Sequence, residues 1–260
     1  MNRCRRCVIP DTRPDTVFVD GVCSACLSYD SRPTIDWPAR KRDLVDLLKE
    51  HDGRCVVPSS GGKDSTYQVL TLLELGAKPL VVTATTCHLT PIGRANIDNL
   101  ARFAPTIEVT QNRTVRAKLN RMGLQLVGDI SWPEHASIFS VPFHVAKAHG
   151  YDLVFYGENP QNQYGGPPGS DGERAMTRRW ITEFGGFLGL RPDDFVGMEG
   201  ITEEDMKWYS PPAELPEAYF LGQFIPWDSE RNARVALENG MEQRIPTAAN
   251  LWPAENLDNA

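Results

Sequence analysis

The sequence has no apolar run near the ~20 residues needed to cross a bilayer, so a membrane-spanning helix is excluded. It has no surplus of positive charge either. Lys and Arg number 27 against 34 Asp and Glu, for a net charge of −7. That balance argues against broad, unspecific binding to nucleic acid. The opening MNRCRRCVIP is basic, but no apolar stretch follows it. The expectation is therefore no signal peptide and a cytoplasmic location. There is no internal repeat and no low-complexity segment. Histidines do not cluster: His88, His135, His144 and His149 fall in separate segments, and none is assigned a metal or catalytic role. G-x-x-x-x-G-K-[ST] is absent, so a Walker A loop is excluded.

What is present is a chain of 260 residues, 41% hydrophobic and 23% charged. That suffices for one large domain, or one domain with a small appendage. The 20 prolines are densest in the last hundred residues, where loops are expected. Four of the six cysteines form two pairs: Cys4, Cys7, Cys23 and Cys26 spell C-x2-C-x15-C-x2-C. Each pair sits on a tight turn that aims two thiolates at one point. Two such knuckles supply the four soft ligands of a closed tetrahedral zinc site, which leaves no open position and is structural. About 25 residues cannot build a core alone, so the metal would supply the folding energy of this segment. Gly21, beside the second pair, offers backbone freedom.

The central signal is Cys55-Val56-Val57-Pro58-Ser59-Ser60-Gly61-Gly62-Lys63-Asp64-Ser65. CVVP reads as a short buried strand, SSGGKDS as a loop, and TYQVLTLLELG as an amphipathic helix ending at Gly76. Glycines let the backbone approach a phosphate, and the helix N-terminus adds free N–H groups and partial positive charge. Ser60 and Ser65 can donate hydroxyls, and Lys63 brings a cation to developing charge. Further on, 78–85 and 106–110 read as strands. Helices are expected over 91–103 (Thr90 as cap), from Asn112 to about Met122, and over 131–149, where Pro133 and Pro142 interrupt the pattern. Residues 153–157 read as a buried strand, 173–187 as a helix carrying Arg174, Arg178 and Arg179, 218–227 as an aromatic strand or packing segment, and 229–238 as a helix capped by Asp228. Strands alternating with helices predict an α/β, doubly wound parallel sheet. Ligands of such sheets lie beyond the carboxyl ends of the strands. SGGKDS, the end of the second strand and Gly157-Glu158-Asn159 should converge there. The expected divisions are a zinc knuckle over 1–35, a nucleotide domain over 50–200 and a C-terminal helical and aromatic extension over 201–260.

After Gly157 comes GENPQNQYGGPPGS, a loop of amides, one acid and glycines. Asn159, Gln161, Asn162 and Tyr164 suit a polyhydroxylated substrate such as a sugar. Arg178 is a candidate for an anionic group on it.

SGGKDS resembles the PP-loop signature SGGxDS. That family cleaves ATP to AMP and pyrophosphate. The resemblance implies that Ser60, Gly61, Gly62, Lys63, Asp64 and Ser65 handle phosphate, that Asp64 helps hold Mg2+ or orient the phosphates, and that Thr83, Thr85 and Gly157 lie along the nucleotide. With the zinc pattern, GENPQNQYGG and LGQFIPWD, the chain resembles the N-acetyl sugar amidotransferase family of that superfamily, shortened at its C-terminal end. The implied activity replaces the acetamido oxygen of a sugar or nucleotide sugar with nitrogen. A separate glutamine amidotransferase supplies the ammonia, since no cysteine here is placed as the N-terminal nucleophile of a glutaminase. Lys63, Asp64 and Glu158 are the catalytic candidates, Glu158 as a base or second metal contact. Three alternatives stay open: a tRNA thiolase, for which only Cys55 and Cys87 remain outside the zinc pattern; amidation of a nucleobase; and a nucleotide-binding subunit without turnover.

Overall fold

The computed structural model describes residues 2–11, 17–30, 34–85, 89–158 and 175–244. Near the N-terminus, β1 (Phe18–Val19) and β2 (Val22–Cys23) form an antiparallel hairpin. Its two-residue turn, Asp20-Gly21, has positive φ at both positions, 47° and 74°. Such mirror-image turns match the twist of a hairpin, and Asp-Gly is a favoured pair for them. α1 (Ser24–Asp30) follows directly. α2 (Trp37–Glu50) is capped by Asp36, whose side chain accepts from the Ala39 N–H at 2.9 Å.

The remaining chain builds one five-stranded sheet. Its strands are β3 (Arg54–Pro58), β4 (Lys78–Ala84), β5 (Thr106–Val109), β6 (Leu153–Tyr156) and β7 (Glu217–Phe220). The order is β5-β4-β3-β6-β7 and every pairing is parallel. The sheet thus grows in both directions from β3, and the reversal falls between β3 and β6. The linking helices are α3 (Lys63–Glu74), α4 (Pro91–Leu100), α5 (Arg113–Val127), α6 (Trp132–Ile138) and α7 (Val141–Ala148).

Strand residues alternate between two cores, as the two-residue period requires. Val56, Leu80, Val82, Val154 and Tyr156 pack with residues of α5, α6 and α7 on one face. Cys55, Val57, Val81, Leu153 and Phe155 pack with residues of α2, α3 and α4 on the other. This is the doubly wound parallel sheet expected from the alternation.

Several element boundaries differ from expectation, and three of them have a clear local reason. The stretch 131–149 is two helices, because Pro133 and Pro142 each sit in the first turn of a new helix, where a missing N–H costs least. α5 runs past Met122 to Val127 and stops at Gly128, which takes the left-handed conformation with φ 75°. The helix expected over 173–187 is α8 (Arg178–Phe184). Ala175 instead bridges Tyr219, and the Met176 N–H donates to the Ala218 carbonyl at 2.7 Å, so the chain runs beside β7 until Thr177 caps the helix. The segment read as an extension joins the sheet: it contributes β7, and its helix α9 (Ser229–Glu238) packs on α3.

Candidate functional site

The loop between β3 and α3 lies at the carboxyl end of the central strand, beside the point where the strand order reverses. Ser59 continues the β3 ladder, its N–H donating to the Val82 carbonyl at 2.9 Å. The Ser59 hydroxyl then accepts from the Gly61 N–H at 3.0 Å and meets Ser65 Oγ at 3.0 Å. Ser65 Oγ also donates to the Gly62 carbonyl at 3.1 Å, and the Gly62 N–H donates to Ser60 Oγ at 3.4 Å. These bonds fold the loop over the start of α3. Gly62 is the N-cap residue and has no side chain to cap this 12-residue helix, and the N-terminus of such a helix favours an anionic acceptor.

Gly61 is required by both conformation and space. Its φ is +85°, and a Cβ there would lie 2.9 Å from the Ile97 backbone nitrogen. At Gly157, just past β6, the constraint is space alone: a Cβ would lie 3.2 Å from the Trp227 ring, a tight contact. Trp227 itself meets Tyr67 of α3 edge-on at 5.7 Å. The buried Gln68 of α3 donates through Nε2 to the Phe155 carbonyl of β6. The end of β6 is thereby tied to the loop's own helix.

Lys63 and Asp64 form an ion pair, Nζ to Oδ2 at 3.1 Å, with side chains 17% and 33% exposed. The other oxygen of Asp64 accepts from Asn232 Nδ2 of α9 at 2.8 Å. Asn232 is fully buried. It was missed in the sequence because its contact crosses 168 positions; the one available signal was a polar residue on the apolar face of a capped helix. The carboxylate keeps lone pairs beyond these two contacts and remains reachable, so it fits as one oxygen ligand of Mg2+.

At the end of β4, Thr83 is 2% exposed, and its hydroxyl has no hydrogen-bond partner among the described residues. It alternates with Val82 and shares the face of Val81, the face of α3 and α4. Thr85 is also buried; its hydroxyl donates to Glu108 at 3.4 Å and its carbonyl accepts from the buried Arg116 at 2.7 Å. Glu158 directly follows Gly157 and is partly exposed. Arg178 donates to the Pro212 and Ala213 carbonyls, the latter at 2.9 Å. Its guanidinium thus anchors a proline loop. Asn159, Gln161, Asn162, Tyr164, Arg174 and Cys87 lie outside the described residues.

The four N-terminal cysteines converge. Their sulfurs all lie within 4.8 Å of one another, with Cys7–Cys23 at 3.6 Å and Cys4–Cys26 at 4.0 Å. A tetrahedron of Zn–S bonds near 2.3 Å has S···S edges of about 3.8 Å, so the donor set fits zinc. The N–H groups of Cys23 and Arg6 point at Cys4 Sγ, at 3.3 and 3.4 Å. A backbone hydrogen bond at Cys7, with these two, pulls the Cys4 thiol down to about 6. Burial, with the neighbouring thiols, pushes Cys26 up to about 12. One thiolate forms readily while Cys23 and Cys26 resist, which is the situation a divalent cation relieves. Cys55 is buried in β3, and burial raises its thiol to about 12. It is an inert core residue.

No family model matches the chain, and no curated protein matches it. Solved structures do. An NMN synthetase from Francisella tularensis is 16% identical over 49% of this chain and 56% of its own, with a TM-score of 0.35. The chain thus spans a little over half the length of that structure. A protein described as a subunit of tRNA methyltransferase from Methanocaldococcus jannaschii is 13% identical over 71% of this chain and 75% of its own, with a TM-score of 0.37. Likenesses this distant do not bear on activity.

Proposed function

We propose that the chain binds Mg·ATP on the β3–α3 loop and uses it in an AMP-forming reaction. The observation that carries this reading is the loop itself. Ser60 to Ser65 bring the N-terminus of α3, the Ser60 and Ser65 hydroxyls and the Lys63 cation into one loop at the carboxyl end of a parallel sheet. Such a cradle suits a pyrophosphate as bound group and as leaving group. The buried hydroxyl of Thr83, without a partner among the described residues, supports a nucleoside seat at the neighbouring strand end. Mg2+, held by Asp64, would supply charge neutralisation to the phosphates.

The reaction we infer is replacement of an amide oxygen by nitrogen, on an N-acetylated sugar or nucleotide sugar. The amide oxygen attacks the α-phosphorus of ATP and pyrophosphate leaves, giving an adenylated imidate. Ammonia adds to the imidate carbon, loses its proton to a base, and AMP departs with the original oxygen. The chain's contribution is alignment of oxygen, phosphorus and leaving group, and stabilisation of the departing charge by Lys63 and the loop amides. Glu158, next to Gly157 at the end of β6, is the proposed base. Ammonia comes from a separate glutamine amidotransferase, and Asn159, Gln161, Asn162 and Tyr164 are proposed to bind the sugar. The sequence resemblance supports this substrate class.

The test is turnover with Mg·ATP, ammonium and a panel of N-acetylated nucleotide sugars, read by mass spectrometry. AMP, pyrophosphate and a sugar lightened by the exchange of O for NH are expected. AMP without a changed sugar would overturn the substrate class and keep the ATP chemistry. ADP, or no cleavage by zinc-loaded protein, would overturn the AMP-forming reading.

A further inference from the structure

We infer that Asn232 of α9 is a positioning residue of the phosphate site, which fixes the Asp64 carboxylate for a divalent cation and offers its own amide oxygen to that cation's water shell; this rests on the reading that Ser60–Ser65 binds Mg·ATP. Asn232 is fully buried, yet one of its two polar atoms is spent on Asp64, Nδ2 to Oδ1 at 2.8 Å. An ionised carboxylate only accepts, so the NH2 end must face it. The amide oxygen is thereby turned away, and it has no hydrogen-bond partner among the described residues. A buried acceptor left without a donor is costly, and such a group in a native protein points to a missing partner. Metal-bound water is a strong donor.

The chemistry of the pair favours this role. Asp64 has Lys63 on its other oxygen at 3.1 Å. With that partner alone, the carboxylate would be held at one oxygen only. A neutral amide donor fixes the second oxygen without cancelling the negative charge that a cation needs. The helix that carries Asn232 is itself pinned beside the loop. Asp228 caps it by accepting from the Arg231 N–H at 2.7 Å, and Arg231 lies over the Tyr67 ring of α3 at 5.0 Å.

The experiment titrates Mn2+ by electron paramagnetic resonance in the presence of ATP, on full-length protein and on Asn232→Ala and Asn232→Leu. Either variant should weaken Mn2+ binding roughly 10- to 100-fold, while ATP affinity at saturating Mn2+ changes little. Unchanged Mn2+ affinity in a folded variant overturns the inference. A second measurement needs no variant. In unaltered protein labelled with 15N-asparagine, Mn2+ with ATP should broaden the Asn232 side-chain amide ahead of the other asparagines. A sharp Asn232 signal with Mn2+ bound overturns the inference alone. Unaltered protein that binds neither ATP nor Mn2+ overturns the phosphate-site reading, and the inference falls with it.

Discussion

The N-terminal knuckle and the central sheet are held together in opposite ways. In the knuckle, Val8, Val17 and Val19 are 65%, 60% and 52% exposed, while the buried apolar groups among the described residues are Cys4 and Cys23. Its interior is sulfur. The sheet buries both faces, with Val56, Val57 and Phe155 at 0% exposure. The first region has geometry without a hydrophobic core, and the second has a core that needs no metal. With zinc on its four sulfurs, the knuckle would be a metal-dependent fold beside a self-sufficient one, and each should fail separately.

The largest effect should come from Cys23→Ser. Binding of structural zinc is worth on the order of 10–16 kcal/mol, so the variant should lose zinc, measured by elemental analysis, and exchange its amide hydrogens rapidly over 2–30. The sheet should keep its cooperative melt. A sheet that melts with the knuckle would break the contrast. Next, Asp64→Asn should leave both regions folded and lower AMP formation by roughly 10²–10³-fold, as loss of one charge-stabilising group does. Its thermal midpoint should match that of unaltered protein.

Gly61→Ala sharpens the comparison from the sheet side. The added methyl meets the Ile97 nitrogen at 2.9 Å in a left-handed backbone. The expected cost is about 1–3 kcal/mol of sheet stability, read by denaturant titration, together with lost nucleotide binding and unchanged zinc content. A smaller effect is expected at Thr83. Thr83→Val removes a buried hydroxyl with no partner among the described residues. ATP binding should weaken by about 1 kcal/mol, or roughly fivefold, with unliganded stability equal or higher by calorimetry.

The smallest signal is at Cys55. Burial raises its thiol from 9.0 to about 12. Folded protein therefore keeps the proton while unfolded protein loses it near 9.0. The stability tied to this group is full below that pH and is lost as pH rises towards about 12. A thiol reagent at pH 8 should leave Cys55 unmodified in the folded state and label it on unfolding. Rapid labelling without unfolding would show the core to be less closed than the structure has it.

Much of the fold was legible because its signals are local. The caps at Thr90, Asn112 and Asp228 each accept the expected N–H. CVVP and LVFY are short apolar runs that can be buried on both faces of a parallel sheet. What was not legible depends on distant partners. EAYF gives no local sign that it pairs with β6 to make the sheet's edge. The division of 131–149 into two helices was half visible, as prolines at the right places without the knowledge that each would open a new helix. At the site, the loop could be read from its glycines. The Asn232 contact could not, since nothing near residue 64 names a helix that arrives so much later. Arg178 shows the converse: a cation that looks free in sequence is engaged by backbone carbonyls in the fold.

The link between Asp64 and Asn232 also sets a timetable for synthesis. The two residues are 168 positions apart. A ribosome working at about 5–20 residues per second needs roughly 8–34 s to travel between them. During that interval β3, α3 and β4 can already have docked, so a nascent chain can display a glycine loop whose carboxylate still lacks its amide clamp. Competence to hold nucleotide and cation together should therefore arrive late and abruptly, when α9 leaves the exit tunnel, and not grow in step with the sheet.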